Sequence, residues 1–235
     1  MSTASVRSAY WTGVRHGAPF TLVIMPFGLL FGVVGSEAGL NLVEVMGFSV
    51  LVIAGAAQFT AVQLMVHEAP TLVVILTALV VNLRMAMYSA SITPYLGAAP
   101  LWKRAIAAYF LVDQTYAVAH ARYEARPEMP LSERLAYFFG AVSPVCPLWY
   151  AMTLVGALAG RQIPPEYALD FAVPITFLAL VAPALRTAAH VAAAAVSVLL
   201  SLVFAFLPYS TGVLVAALGA MVVGARVELW MERRA

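Results

Sequence analysis

The sequence predicts an all-α polytopic membrane protein with about seven to eight transmembrane segments, some of them discontinuous or re-entrant. Two observations carry that reading. First, 63% of the 235 residues are hydrophobic and only 10% are charged, against about 25% charged in an ordinary soluble domain. Second, the apolar residues lie in long Ala-, Leu- and Val-rich runs with a mean hydropathy of +0.91. Short alternating strands, the mark of a membrane β-barrel, are not the pattern. This composition excludes a water-soluble enzyme, a disordered chain and a nucleic-acid binder. The net charge of +2 implies no polyanionic partner.

Eight candidate segments follow from the runs, near 17–35, 43–65, 71–95, 104–121, 135–159, 167–185, 188–207 and 211–228. At about 20 residues per span they fill a single transmembrane domain over 1–235 and leave no room for a soluble one. The first run, interrupted by Pro26, is expected to be a helix rather than a cleaved leader. Gly35-Ser36-Glu37-Ala38-Gly39 and Gly156-Ala157-Leu158-Ala159-Gly160 echo each other before similar apolar runs. The echo raises an internal repeat with halves 1–125 and 135–235, as in many transporters. Against it stands the plain fact that glycine-rich helix ends resemble one another.

Basic residues orient membrane proteins, because cytoplasmic loops carry the excess of Lys and Arg. Arg7 and Arg15 place the N-terminus in the cytoplasm, and Arg226, Arg233 and Arg234 do the same for the C-terminus. Two topologies meet both conditions. Eight simple spans put nine basic residues inside and three outside, with Lys103 and Arg104 among the latter. If segments two and four are broken helices that return to the side they left, eleven lie inside and only Arg161 outside. In both, Arg84 lies within the membrane. Gly55-Ala56-Ala57-Gln58 and Asp113-Gln114 are the weakly helical stretches where such breaks would fall.

Ionisable groups in apolar spans cost about 2.5–3.5 kcal/mol on insertion scales and mark pathways, binding sites or mutual pairs. In segment three, Asn82, Ala86, Ser89 and Thr93 form one helical stripe, and Arg84, Tyr88, Ser91 and Tyr95 another. In segment four, helical spacing puts Tyr109, Asp113, Tyr116 and His120 on one face. Asp113, Tyr116 and His120 are candidates for carrying a proton or an ion. An Asp113–Arg84 pair that only locks two helices together is the structural alternative. Gln58 beside Gly55 is a candidate for satisfying carbonyls freed by a break, or for an interhelical hydrogen bond at a tight crossing. Trp11, Trp102 and Trp230 read as interfacial anchors, with Trp149 the exception. Cys146 reads as a small packing residue. His67, His120 and His190 lack metal-ligand spacing, and no phosphate loop or protease motif is present.

Taken in order, several motifs resemble the AzlC/YgaZ family. They are Pro26-Phe27-Gly28-Leu29-Leu30-Phe31-Gly32, Glu37-Ala38-Gly39-Leu40, Ala54-Gly55-Ala56-Ala57-Gln58-Phe59, Asn82-Leu83-Arg84, Asp113-Gln114-Thr115 and Leu169-Asp170-Phe171-Ala172-Val173-Pro174-Ile175-Thr176-Phe177. The resemblance implies the large subunit of a bacterial branched-chain amino-acid exporter in the cytoplasmic (inner) membrane. It implies a small hydrophobic AzlD/YgaH-type membrane subunit as partner, and no cofactor. Gln114 departs from the family pattern, which often has a second acid there, so a two-carboxylate coupling scheme is not expected.

An amino-acid zwitterion needs donors for its carboxylate, acceptors for its ammonium group and an apolar wall. Gly55, Gln58, Phe59, Asn82, Arg84, Pro174 and Phe177 are the expected substrate-binding residues, at the midplane between segments two, three, four and six. The competing readings are a membrane-embedded enzyme using Asp113, His120 and Arg84, a non-transporting assembly subunit, and a channel.

Overall fold

The computed structural model describes residues 3–160, 185, 187–207 and 211–233. Among these residues every regular element is helical. Contacts divide the chain into two compact units: Met1–Gln63 with Ala78–Pro165, and Leu64–Thr77 with Glu166–Ala235.

Helix α1 (Thr3–Gly17) runs through a 3-10 turn at Ala18–Phe20 into α2 (Thr21–Glu37). Proline at residue 19 suits that turn because its missing N–H is not needed there. Gly39, at φ +85°, ends the rod, with the Leu40 N–H bonded back to the Gly35 carbonyl as in a left-handed helix cap. Asn41 then caps α3 (Leu42–Val52) through the N–H groups of Val43 and Glu44, while Glu44 returns a bond to the Asn41 N–H. After α4 (Gly55–Val66) come α5 (Thr71–Leu96), α6 (Leu101–Tyr109), α7 (Asp113–Ala125) and the long α8 (Leu131–Gly160).

The frame of the first unit is α1–α2 laid parallel to α8. The register climbs together: Gly13 meets Tyr137 and Ala141, Gly28 meets Trp149 and Met152, Gly32 meets Thr153 and Ala157, and Gly160 meets Val33. Glycine is required along this seam, because a Cβ at Gly32 would collide with the Thr153 carbonyl oxygen and one at Gly156 with that of Leu29. Small residues let backbones touch where lipid supplies no hydrophobic drive. Ser36 and Tyr10 add hydrogen bonds across the seam, to the Ala157 carbonyl and to the Ser143 hydroxyl.

Segments two and four are both interrupted, but at Ile53–Ala54 and Phe110–Val112; Gly55-Ala56-Ala57-Gln58 and Asp113-Gln114, the stretches expected to break, instead form the first turns of α4 and α7. Between α3 and α4 the chain turns at Ile53, which sits at φ 43°, ψ 36°. A β-branched residue in the left-handed region costs about 1–2 kcal/mol and persists only where the surroundings impose it. Between α6 and α7 the break at Phe110–Val112 is closed by Thr115, whose hydroxyl accepts from the Val112 N–H and lies 2.8 Å from the Phe110 carbonyl.

The packing also separates the two topologies. Val45 near the start of α3 lies on Gly35, and Ser49 lies on Thr153, so α3 descends from the end of α2 toward its middle. At the start of α4, Gly55 touches Phe27 and Trp149. Phe59, one turn on, reaches Phe31, so α4 climbs back. On α5, Tyr95 near the C-terminal end accepts a bond from Arg134 at the start of α8. That end therefore shares a side with the start of α8, which eight simple spans would forbid. Arg104 in α6 donates to the Gly97 carbonyl, and Tyr123 near the end of α7 donates to that of Arg134. The α6–α7 pair thus also returns to the side it left. Lys103, Arg104, Arg122, Arg126 and Arg134 come to one side, as the broken-helix topology requires.

Four stretches among the described residues are long and apolar enough to cross a membrane: Ser5–Glu37, Thr71–Leu96, Leu131–Gly160 and Gly212–Met231. In the second unit, α9 (Ala188–Val203) and α10 (Gly212–Glu232) pack antiparallel, with Gly219 on Leu200 and Gly224 on Ala193. The candidate segment at 167–185 lies almost wholly outside the described residues. Trp11, Trp102 and Trp230 are exposed, whereas Trp149 and Cys146 are buried.

Candidate functional site

The two breaks meet. The Tyr109 hydroxyl at the end of α6 donates to the Val50 carbonyl in the last turn of α3, at 2.5 Å, and accepts from the Tyr150 hydroxyl at 2.8 Å. Tyr150 stands 16 residues into α8 from Arg134, about 24 Å along the helix, and so within the roughly 30 Å hydrocarbon layer. The Val50 carbonyl lies in the last turn of a helix that stops at Val52 and needs such a donor.

Beside this contact is a buried polar cluster. Gln58, Ser49 and Thr153 are fully buried. The Ser49 hydroxyl donates to Thr153 at 3.0 Å, and the Gln58 amide donates to Ser49 at 3.4 Å. Gln58 Oε1 has no hydrogen-bond partner, and neither has the indole Nε1 of Trp149. An unpaired buried polar group costs about 1–3 kcal/mol. Here an acceptor and a donor are both left open beside an aromatic wall. Phe59 stands between Phe27 (ring centroids 4.9 Å apart) and Phe31 (5.4 Å), with Trp149 stacked on Phe31. Gly55 opens α4 against the Phe27 and Trp149 rings, where a Cβ would come within 3.0 Å of both.

The second cluster lies between α5 and α7. Arg84 Nη1 and Asp113 Oδ2 form an ion pair at 2.9 Å, and each side chain keeps about a third of its surface exposed, 31% and 37%. Asp113 Oδ1 and Arg84 Nε carry no further bond. Beneath it Tyr88 stacks on Tyr116 at 4.2 Å, and the Ser91 and Tyr116 hydroxyls are 3.0 Å apart. Tyr95 meets His120 edge-on. His120 also faces Glu124 at 3.5 Å. The whole stripe Arg84, Tyr88, Ser91, Tyr95 therefore contacts α7.

Of the sequence-predicted residues, Gly55, Gln58 and Phe59 gather in the first cluster, and Arg84, Asp113, Tyr116 and His120 in the second. Asn82 lies on α5 near the ion pair in sequence, with its Oδ1 buried and unpartnered. Pro174 and Phe177 lie outside the described residues. One expectation is corrected. Tyr109 does not share a face with Asp113, because the helix stops at Phe110 and restarts at Asp113, which removes the i, i+4 relation. Instead it bonds Val50 and Tyr150. Sequence reasoning missed Ser49 and Thr153, since single hydroxyls in apolar runs carry no periodic signal. It also gave α8 no part in the site.

The family model described as AzlC protein matches residues 19–163, which include both broken helices and both clusters. The chain belongs to the AzlC family. Similar proteins include an uncharacterized membrane protein of Archaeoglobus fulgidus, 29% identical, covering 93% of this chain and 95% of that one. The inner membrane protein YgaZ of Escherichia coli is 25% identical over 73% of this chain and 71% of its own. An uncharacterized membrane protein of Helicobacter pylori is 24% identical, with 73% and 74% covered. No solved structure matches the chain.

Proposed function

We propose that this AzlC-family membrane protein is a subunit of a secondary transporter that exports branched-chain or other small apolar amino acids, driven by an ion gradient. The observation that carries this reading is the open donor and open acceptor beside an aromatic wall, at a helix break inside the membrane. A zwitterion with an apolar side chain complements that set. Its ammonium group would take Gln58 Oε1 and carbonyls freed by the break. Its carboxylate would take Trp149 Nε1–H and the free N–H groups that open α4, at the positive end of the helix dipole. The side chain would lie on Phe27 and Phe59.

Asp113 is the coupling group in this scheme. Protonation would cancel its charge, release Arg84 and loosen α7 from α5. Tyr116 and His120 line the route from the pair toward the basic side. The Tyr109–Val50 bond holds the two broken helices together and must open when either one moves. The reading places the protein in a bacterial cytoplasmic membrane with both termini inside, beside a small AzlD/YgaH-type subunit. It assigns no enzymatic reaction.

Counterflow of labelled leucine into proteoliposomes tests it, with and without the small subunit and an imposed pH gradient. Saturable, gradient-responsive flux is expected. Absence of flux from folded complex in every arm would favour a non-transporting assembly subunit.

A further inference from the structure

The stripe Asn82, Ala86, Ser89, Thr93 is not used by the α5–α7 contact. Its lower half lines a separate cavity of about 380 Å³ between the C-terminal half of α5, α6 and α8, within the 300–1,000 Å³ range of small-molecule sites. Ile92, Leu96, Leu101 and Leu111 form its walls, and the fully buried Phe138 its floor. The Thr93 hydroxyl donates to the Ser89 carbonyl on its own helix, so its proton is already used.

Arg104 is the charged group of the lining. One of its nitrogens donates to the Gly97 carbonyl at 3.2 Å, and the side chain is otherwise exposed. Lys103 beside it lies over the Trp102 ring at 5.3 Å, and Trp102 is 62% exposed. Neither cation has an acidic partner among the described residues. Tryptophan with lysine is the composition of a membrane–water boundary. This end of α6 lies on the side that gathers Arg122, Arg126 and Arg134.

We infer that this cavity is a binding site for an anionic phospholipid. The phosphate is held by Arg104 and Lys103, and an acyl chain lies against Ile92, Leu96, Leu111 and Phe138. The charge of the lining decides between amphiphiles. It offers a cation and no carboxylate, so it suits an anion with an apolar tail and leaves the ammonium of a zwitterionic amino acid without a counter-ion. Basic pockets between membrane helices are suited to anionic head groups, at about 1 kcal/mol per Lys or Arg.

The test is thermal stability and native mass spectrometry of the purified protein in neutral detergent, titrated with phosphatidylglycerol, with phosphatidylcholine of the same chains, or with leucine. Phosphatidylglycerol is expected to raise Tm and to remain bound at concentrations where phosphatidylcholine does not. Arg104→Gln and Lys103→Gln should each weaken that preference about fivefold. Ala108→Phe, on the exposed face of the lining, should exclude both lipids while the unliganded Tm stays put. Equal effects of the two lipids, or a preference that survives both charge changes, would overturn the inference. So would stabilisation by leucine alone that Arg104→Gln removes, which would make the cavity an amino-acid site.

Discussion

Along the α1–α2 and α8 seam, backbones touch at Gly13, Gly32, Gly140 and Gly156, and the Ser36 and Tyr10 hydroxyls find partners across it. At the two helix breaks Ile53 is held left-handed and Gln58 Oε1 and Asp113 Oδ1 have no partners; nor has Trp149 Nε1, on α8 beside the first break. Both regions are built from small and apolar residues, the seam on α1, α2 and α8 and the breaks on α3–α4 and α6–α7. The difference is where backbone bonds are spent. On the seam the helices run unbroken despite Pro26, Pro144 and Pro147, and glycine lets their backbones pack closely. At the breaks carbonyls and N–H groups are freed inside the membrane, where, on the proposed reading, they would hold a ligand or exchange partners as the helices move. The proposed transport function would use both: a part that stays and a part that moves against it.

Three changes break or sharpen this contrast. The largest effect is expected from Gly156→Leu. Its Cβ has no space against the Leu29 backbone, and a parallel backbone contact has no flexible neighbour to yield. The cost should be about 3 kcal/mol or total loss of folded protein, read by thermal unfolding in detergent. A tolerated Gly156→Leu would show that the seam is not rigid.

Next come the ion-pair variants. Asp113→Asn leaves the Arg84 guanidinium without its partner at 2.9 Å. Because the pair is a third exposed, the cost should be about 1–2 kcal/mol rather than that of a dry charge. Arg84→Gln with Asp113→Asn should recover most of that stability but none of the gradient-driven flux. If the double variant transports normally, the pair is only a lock between α5 and α7.

The smallest effect is expected from Tyr109→Phe. It deprives the Val50 carbonyl of its donor at a half-exposed contact, worth about 1 kcal/mol. Amide exchange should quicken over residues 50–55 while the α8 amides stay protected. Equal quickening in both places would mean that the breaks and the frame open as one.

Much of this was legible in the sequence. Gly55-Ala56-Ala57-Gln58 and Asp113-Gln114 point to within a few residues of the breaks, but they open the helices that follow, and the interruptions themselves fall at Ile53–Ala54 and Phe110–Val112. Arg84 and Asp113 had to find each other or water, since each alone is too costly in lipid. Arg84, Tyr88, Ser91 and Tyr95 were expected on one face, and they share it. What failed was the extension of helical spacing across a break. Tyr109 is four residues from Asp113, yet the interruption at Phe110–Val112 turns it toward Val50. Thr115, which closes that interruption, looks from the sequence like any other helix residue.

The sequence by itself determined the class and pointed to two interrupted segments and to a charged pair. All three follow from transfer free energies and local propensities, which are properties of residues and their near neighbours. Only the tertiary structure decided that α8 lies parallel to α1–α2, that α5 ends on the side where α8 begins, and that the breaks join through Tyr109. Those facts depend on which backbones approach closely enough to touch. That is settled by the shape of two surfaces together, and glycine, the residue that permits it, has no side chain to announce its partner.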